Sequence, residues 1–249
     1  MQINYYNEWS DYLGREMEFK VFGEGGRPVV VFPCLSGRFY DWENFGMVEK
    51  AAWWIDKGQV QLFCVDSIDP ESWDDRDGDP RRRMEMQEKW FNYLTRELYP
   101  RMIALNGGVN QGKALVAGAS AGAGHAMNCF LRRPDLFSGV IALSGMYSAQ
   151  PYLGDYTDDL VYRNTPLCYL ADLPAGDPRM DLYRKADPLL LCVGQGAWED
   201  DYTASTKALA ALLEEKEIPA QFELWGYDVT HDWDWWQKQW QMFLGRIFG

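Results

Sequence analysis

The sequence predicts an α/β fold, with a mostly parallel central sheet and helices on both faces. Short apolar runs alternate along the chain with longer stretches of helical periodicity, which is the pattern of a sheet built with crossover helices. The interior runs consist almost entirely of Val, Ile, Leu and Phe, as is typical of strands that are covered on both sides. The predicted strands are residues 18–22, 28–32, 59–65, 114–117, 139–143, 189–193 and 221–225.

Three longer stretches have the periodicity of amphipathic helices. In residues 81–102 apolar side chains recur every four positions, and Pro80 suits the first turn. Residues 203–217 follow two acidic residues that are candidate caps, Asp200 and Asp201. The C-terminal stretch is expected to dock on the sheet through one apolar face. That face consists of Trp233, Trp236, Trp240, Phe243, Leu244 and Ile247.

A single domain spanning residues 1–249 is expected, because the chain contains no internal repeat and no linker-like stretch. Residues 147–185 are rich in Tyr, Asp, Pro and Gly and have no clear periodicity. Long segments without regular structure are usually functional. We therefore interpret this segment as a cap-like or pocket-forming excursion above the sheet, and the sequence leaves open whether it moves as a lid.

The composition limits the classes of molecule that the protein is expected to bind. The 249 residues are 47% hydrophobic and 24% charged, which is ordinary for a globular protein and excludes a disordered chain. Lys and Arg number 24 against 37 Asp and Glu, so the formal net charge is -13. This acidity argues against nucleic acid and anionic membranes as partners and favours a neutral or polar small-molecule substrate. The sequence leaves open whether the chain forms a homo-oligomer.

The cysteine and histidine content indicates a cytoplasmic protein without a metal site. Five cysteines are widely spaced and lie mostly within apolar runs, so reduced thiols are expected. The N-terminus lacks the pattern of a signal peptide, and no apolar run reaches the roughly 20 residues of a membrane span. With two histidines and no CxxC or HExxH motif, no metal and no other cofactor is expected. The acidic stretch 74–79 lacks the rest of a calcium loop and is interpreted as a loop that caps the next helix.

A candidate nucleophile lies between a predicted strand and a helix-like stretch. Residues Gly118-Ala119-Ser120-Ala121-Gly122 form a G-x-S-x-G motif in the context that a nucleophile elbow requires. Small residues on either side of Ser120 let the strand and the helix approach closely, and the turn aims the first helix amides at the hydroxyl. The alternative is a Gly/Ala-rich turn in which Ser120 only caps the helix.

The base that such a serine needs is either His231 or His125. His231 lies in a short loop between the last strand and the terminal helix, where a triad histidine stands when the order is Ser, acid, His. It could instead cap that helix. His125 follows Ser120 by five residues within the elbow helix, a position that suits packing or pocket lining better than general base catalysis.

The acid is expected just beyond the strand 189–193. Three adjacent residues qualify there, namely Glu199, Asp200 and Asp201. Each of them could merely cap the following helix, because acidic residues at a helix start respond to its dipole. The choice among the three stays open at this point.

These motifs resemble those of the α/β-hydrolase esterases of the esterase D group, which includes S-formylglutathione hydrolases and the mycolyltransferase antigens. The resemblance is carried by residues 118–122 together with His231-Asp232-Trp233-Asp234-Trp235-Trp236, an H-x-W-x-x-W ending. Cys34-Leu35-Ser36-Gly37-Arg38 is similar to the L-S-G stretch of the group, and residues 194–199 look like its D-Q-G-x-x-D stretch.

The resemblance implies the α/β-hydrolase fold and a serine esterase with a Ser120, His231 and Glu199 triad. It also implies that the backbone N–H groups of Arg38 and Ala121 form the oxyanion hole. The chain departs from the group in several places. Ala197 stands where members often have Asp, Arg38 replaces a usual hydrophobic residue, and Phe39 and Tyr40 stand where formylglutathione hydrolases carry their marker cysteine. The last departure argues against a glutathione thioester as substrate.

The expected function is therefore that of a serine carboxylesterase that hydrolyses a small ester. An acyltransferase with the same triad and an inactive binding protein of the same fold are the alternatives. Aromatic residues expected near the carboxyl ends of strands could line the substrate pocket, although each could equally belong to the core. These candidates are Phe39, Trp73, Tyr147, Tyr152 and Trp198.

Overall fold

The computed structural model describes residues 1–107 and 113–249, in which the strands form one sheet. The strands are β1 Ile3–Ser10, β2 Arg15–Phe22, β3 Arg27–Phe32, β4 Val60–Val65, β5 Ala114–Ala119, β6 Phe137–Leu143, β7 Leu189–Val193 and β8 Gln221–Leu224. Their order across the sheet is β1-β2-β4-β3-β5-β6-β7-β8. β2 pairs antiparallel with β1 and β4, and the other neighbours are parallel.

Helices connect the parallel strands, and the last helix follows β8. They are α1 Asp41–Asn44, α2 Met47–Asp56, α3 Pro80–Asn92, α4 Tyr99–Leu105, α5 Ala121–Arg132, α6 Gln150–Leu153, α7 Asp159–Arg163, α8 Pro166–Ala171, α9 Pro178–Arg184, α10 Asp200–Glu215 and α11 Trp233–Phe248. Among the residues that the structure describes, no helix is both long and apolar enough to cross a membrane.

The core lies on both sides of the sheet, which confirms the predicted arrangement. Neighbouring residues of a strand point to opposite faces. Val30 and Phe32 of β3 accordingly pack in a cluster with α3 and α5, whereas Val29 and Val31 pack in a second cluster with α2 and α11. The apolar face predicted for the C-terminal helix thus docks on the sheet, where Trp240 is fully buried.

The predicted helix 81–102 is present, but it is not a uniform α-helix. α3 begins after Asp79, whose side chain accepts the backbone N–H of Arg82 at 2.9 Å, so the acidic stretch ends in a helix cap as expected. A π-helical segment, Tyr93–Leu98, then joins α3 to α4. The apolar side chains that recur every four residues are all buried, because these helical segments lie against one face of the sheet.

β1 was missed by the sequence analysis. It is an edge strand, and its side chains alternate between exposed and half-buried positions. Its large apolar side chains, such as Tyr5 and Trp9, lie on the exposed face. Because the strand has no buried apolar face, the alternation of hydrophobic residues that marks an ordinary strand does not arise.

Residues 147–185 are more regular than predicted. They contain α6 to α9, each four to seven residues long. Asp158 and Asp177 cap two of these helices by accepting backbone N–H groups. The helices are too short to display apolar periodicity in the sequence. Part of the segment packs against Trp73 and Met84 in a small cluster beside the main core.

Candidate active site

Ser120 stands on a sharp turn between β5 and α5. Its backbone has φ 56° and ψ −127°, a conformation that side-chain-bearing residues rarely adopt, and its N–H donates to the Leu143 carbonyl at 2.9 Å. The flanking glycines make the turn possible. A Cβ on Gly118 would lie 2.2 Å from the backbone of Gly122, and a Cβ on Gly122 would lie 2.3 Å from the Pro33 carbonyl oxygen.

His231 reaches this turn from the loop between β8 and α11. Its Nε2 lies 3.0 Å from Ser120 Oγ, although the two residues are 111 positions apart in the chain. Its Nδ1 lies 3.1 Å from Glu199 Oε2. The loop is fixed by the His231 backbone N–H, which donates to the Ala197 carbonyl at 3.1 Å. Hydroxyl, imidazole and carboxylate therefore form one continuous hydrogen-bonded line.

Burial distinguishes the three candidate acids. Glu199 is 0% exposed and faces His231, whereas Asp200 and Asp201 are exposed in the first turn of α10. The second oxygen of Glu199, Oε1, accepts the Ser144 hydroxyl at 2.6 Å. Of the three acids, Glu199 is thus the one that contacts the imidazole.

Ser144 and Trp236 continue the series of hydrogen bonds beyond the Glu199 carboxylate. The indole Nε1–H of Trp236 donates to Ser144 Oγ at 3.1 Å, and Ser144 in turn donates to Glu199. Ser144 is fully buried with φ 48°. Trp236 is the last residue of the H-x-W-x-x-W stretch and was predicted only as a core residue. Nothing in the sequence around Ser144 signalled its contact.

Two aromatic rings hold the His231 imidazole. Tyr202 stacks on it with ring centroids 3.9 Å apart at 26°, and Trp236 meets it edge-on at 4.8 Å. The Tyr202 hydroxyl also lies 3.4 Å from Ser120 Oγ. Tyr202 was not among the predicted site residues. The two rings restrict rotation of the imidazole and keep Nε2 directed at the serine.

The other histidine belongs to a separate pair. His125 Nε2 lies 2.9 Å from Asp69 Oδ1, and both side chains are buried beside α5. His125 therefore does not contact the hydroxyl of Ser120, and the structure gives that position to His231.

The backbone N–H of Arg38, which was expected in the oxyanion hole, already has an acceptor in the structure. This N–H donates to Asp41 Oδ2 at 2.9 Å, and the Arg38 guanidinium pairs with Asp66 and Glu18. The amide is thus used at the start of α1. Ala121, in contrast, is the first residue of α5, and the first N–H groups of a helix have no acceptor within the helix.

The neighbouring amides of that loop are engaged as well. The N–H of Ser36 donates to Asp69 Oδ2 at 3.1 Å, that of Gly37 to the Cys34 carbonyl at 2.9 Å, and that of Phe39 to Asp66 Oδ1 at 2.9 Å. In the part of the chain that the structure describes, the N–H groups of this loop that have no acceptor are those of Cys34 and Leu35. Burial raises the pKa of the Cys34 thiol, so this cysteine stays neutral beside the elbow.

A narrow pocket opens next to Ala121 on one side of the elbow. Its lining residues are Trp73, Ala121, Gly124, His125, Asn128, Met146, Tyr147, Ser148, Tyr152, Asn164 and Pro166. Its volume is about 30 Å³, which is room for one or two water molecules. Burial raises the pKa of the two tyrosines, so their hydroxyls remain protonated.

The five predicted pocket aromatics fall into three groups. Trp73, Tyr147 and Tyr152 line the narrow pocket. Trp198 lies on the other side of the elbow, 85% exposed, in a shallow depression that His231 also lines. Phe39 does not line the pocket, because its ring packs against the Tyr5 ring at 5.6 Å.

A model of the family described as putative esterase matches residues 10–246. No curated protein sequence matches the chain. A ferulic acid esterase structure superposes with a TM-score of 0.75 at 16% identity, covering 99% of each chain. The S-formylglutathione hydrolase of Agrobacterium tumefaciens superposes with a TM-score of 0.74 at 16% identity, covering 99% of this chain and 95% of that one.

A third similar structure is the fluorophosphonate-binding serine hydrolase F of Staphylococcus aureus, solved with substrate bound. It superposes with a TM-score of 0.73 at 14% identity, covering 100% of this chain and 98% of that one. The three structures share the fold with this chain over almost its whole length.

Proposed function

Because the chain belongs to the putative esterase family, we propose that it is a serine carboxylesterase that hydrolyses a small ester through an acyl-enzyme on Ser120. The observation that carries the proposal is the hydrogen-bonded line from Ser120 through His231 to Glu199, which starts on a strained strand-to-helix turn. Strain of this kind is retained mainly at functional sites.

In the first half of the reaction, Ser120 Oγ attacks the ester carbonyl carbon while His231 Nε2 accepts the hydroxyl proton. Glu199 accepts the Nδ1–H of the imidazole, which fixes the reactive tautomer and stabilises the cation that forms. His231 then gives the proton to the leaving alkoxide, so that an alcohol departs and the acyl group stays on Ser120. A water molecule deprotonated by His231 attacks the acyl-enzyme, the bond between the acyl carbon and Ser120 Oγ breaks, and His231 returns the proton to Oγ as the acid leaves.

The negative oxygen of the tetrahedral intermediates needs two donors. We assign them to the backbone N–H groups of Ala121 and Leu35. The Ala121 amide heads α5, and the Leu35 amide remains after the amides of residues 36–39 are engaged. The close approach of the Pro33 carbonyl to Gly122 supports this assignment, because it brings the start of the loop against the elbow. Each donor contributes about 3 kcal/mol to such a reaction.

The two sides of the elbow suit the two parts of the ester. The narrow pocket beside Ala121 fits a short acyl group, because its volume is about 30 Å³. The open depression with His231 and Trp198 fits the alcohol, because the leaving group must face the imidazole that protonates it. Short-chain esters of varied alcohols are therefore the proposed substrates.

A fluorophosphonate probe tests the nucleophile. We expect the wild-type protein to be labelled covalently and the Ser120→Ala variant to remain unlabelled. Turnover of p-nitrophenyl acetate should fall by about 10⁴-fold or more in that variant. Ser138→Ala is the matched control, since Ser138 stands at the start of β6, at the opposite end of the sheet from the elbow.

Folding of each variant is checked by circular dichroism. Labelling that persists in folded Ser120→Ala would assign the nucleophile elsewhere. A folded wild-type protein that takes no label and hydrolyses no ester would instead favour a binding protein with the fold of an esterase.

A further inference from the structure

His125 and Asp69 form a second buried pair of acid and imidazole, which the proposed mechanism does not use. His125 Nε2 lies 2.9 Å from Asp69 Oδ1, and the two side chains are 5% and 1% exposed. Asp69 is itself fixed, because its Oδ2 accepts the backbone N–H of Ser36 at 3.1 Å. One edge of the imidazole is therefore held in place by the protein.

The other ring nitrogen of His125, Nδ1, is available to a ligand in the narrow pocket. His125 lines that pocket, and Nε2 is already used by Asp69. Within the described ranges 1–107 and 113–249, Nδ1 makes no hydrogen bond, and it is not among the fully buried polar atoms that lack a partner, so it keeps access to the pocket. The rings of Trp90 and Phe32 flank the imidazole at centroid distances of 4.8 and 6.2 Å. A polar atom that opens onto a mostly apolar pocket makes its hydrogen bond with a ligand or with water.

The spacing along α5 relates this nitrogen to the nucleophile. Ala121 and His125 are four residues apart, so they lie on the same face of the helix, about 6 Å apart along its axis. Ala121 directly follows Ser120 and lines the same pocket. An acyl group on Ser120 that extends into the pocket would bring a substituent on its second or third carbon towards His125.

We propose that this pocket is a subsite for short hydroxyacyl groups, in which His125 Nδ1 hydrogen-bonds a hydroxyl on the second or third carbon. The inference rests on the proposed esterase function. In the tautomer that directs Nε2–H at the Asp69 carboxylate, Nδ1 is a bare acceptor, and a hydroxyl can donate to it. The small volume favours short acyl groups, and Asp69 positions the imidazole for this contact.

Matched substrates test the proposal. Aryl glycolate and aryl propionate esters have acyl groups with the same number of heavy atoms and differ by a hydroxyl in place of a methyl. The methoxyacetate ester controls for the electron-withdrawing oxygen, since it cannot donate a hydrogen bond. After division by the rate of hydroxide-catalysed hydrolysis, we expect kcat/KM to favour glycolate over propionate by about fivefold or more.

Two variants separate recognition from structural support. The amide of Gln reaches the position of Nε2, so His125→Gln keeps a bond to Asp69 and loses the polar atom in the pocket. The amide of Asn reaches the position of Nδ1, so His125→Asn keeps a polar atom in the pocket and loses the bond to Asp69. We expect the glycolate preference to disappear in His125→Gln, and to persist in part in His125→Asn despite a lower melting temperature.

The outcomes distinguish this inference from the function on which it rests. Fluorophosphonate labelling and ester turnover without any preference for glycolate would overturn the subsite and leave the esterase intact. A preference that survives in His125→Gln would assign the recognition to another group and overturn the role of His125. A wild-type protein without labelling and without turnover would overturn both.

Discussion

Removal of the Ser144 hydroxyl is the sharpest test of how the carboxylate of Glu199 is supported. The Ser144→Ala change removes the 2.6 Å hydrogen bond to Glu199 Oε1 and leaves the indole N–H of Trp236 without its acceptor. A hydrogen bond to a charged group contributes about 1.5–3 kcal/mol, and the residues involved are buried. We therefore expect the free energy of unfolding to fall by about 2–3 kcal/mol.

This loss is measurable by both melting and kinetics. For a protein of this size, 2–3 kcal/mol corresponds to a drop in Tm of roughly 4–12 °C. Glu199 keeps its contact with His231 through Oε2 but loses the support on its other oxygen, so kcat should fall by about tenfold. Differential scanning calorimetry and steady-state hydrolysis of p-nitrophenyl acetate give the two quantities.

Ser144→Gly is the matched control for the backbone. Ser144 has φ 48°, a value that Gly adopts without strain, so this variant loses the same hydroxyl but relaxes the turn. We expect Ser144→Gly to lose the same activity and less stability than Ser144→Ala. If Ser144→Ala kept both the wild-type Tm and the wild-type kcat, the reasoning from the hydrogen-bonded line would be refuted.

Further variants test the acid, a cap and the exposed indole. Glu199→Gln should lower kcat by about 10⁴-fold, whereas Asp200→Asn and Asp201→Asn should leave it within about twofold; equal losses would refute the choice of acid. A hydrogen bond from the neighbouring arginine lowers the pKa of Asp177 to about 2, so its stabilisation is present above the usual carboxyl pKa and disappears as pH falls towards 2. Urea titrations of Asp177→Ala should therefore converge with wild type in acid. Trp198→Gly should exceed Trp198→Ala in unfolding free energy by up to about 1 kcal/mol, because the backbone there has φ 67°; equal urea midpoints would contradict this.

The parts of the fold that could be predicted from the sequence are those in which an apolar pattern is buried. Strands such as β3 and β7 are buried on both faces, so their composition alone marks them. β1 could not be predicted from the sequence, because an exposed edge strand has no buried apolar face to produce a recognisable pattern. The short helices of residues 147–185 could not be predicted either, because each has fewer than two turns and so shows no apolar periodicity.

The site residues that could be predicted are those whose local backbone geometry demands a particular sequence. The elbow around Ser120 is predictable because steric crowding demands small residues at fixed positions, and the structure shows those close approaches. Tyr202 and Ser144, in contrast, contact the triad through tertiary packing that leaves no spacing rule in the chain. The Arg38 amide was predicted by likeness to a motif, and the side chain of Asp41 competes for it.

The choice of Glu199 as the acid depends on one strained residue beside it. Trp198 has φ 67°, so the chain turns sharply there, with the indole 85% exposed and the next side chain fully buried. Gly194 and Gly196 let this loop approach the His231 loop closely, since a Cβ on either would lie within 2.6 Å of the Val229 carbonyl oxygen. Relaxation of the Trp198 backbone would reduce the inward turn of Glu199. The exposed indole and the buried carboxylate are thus two consequences of one turn, which places Trp198 in the depression proposed for the alcohol and Glu199 against His231.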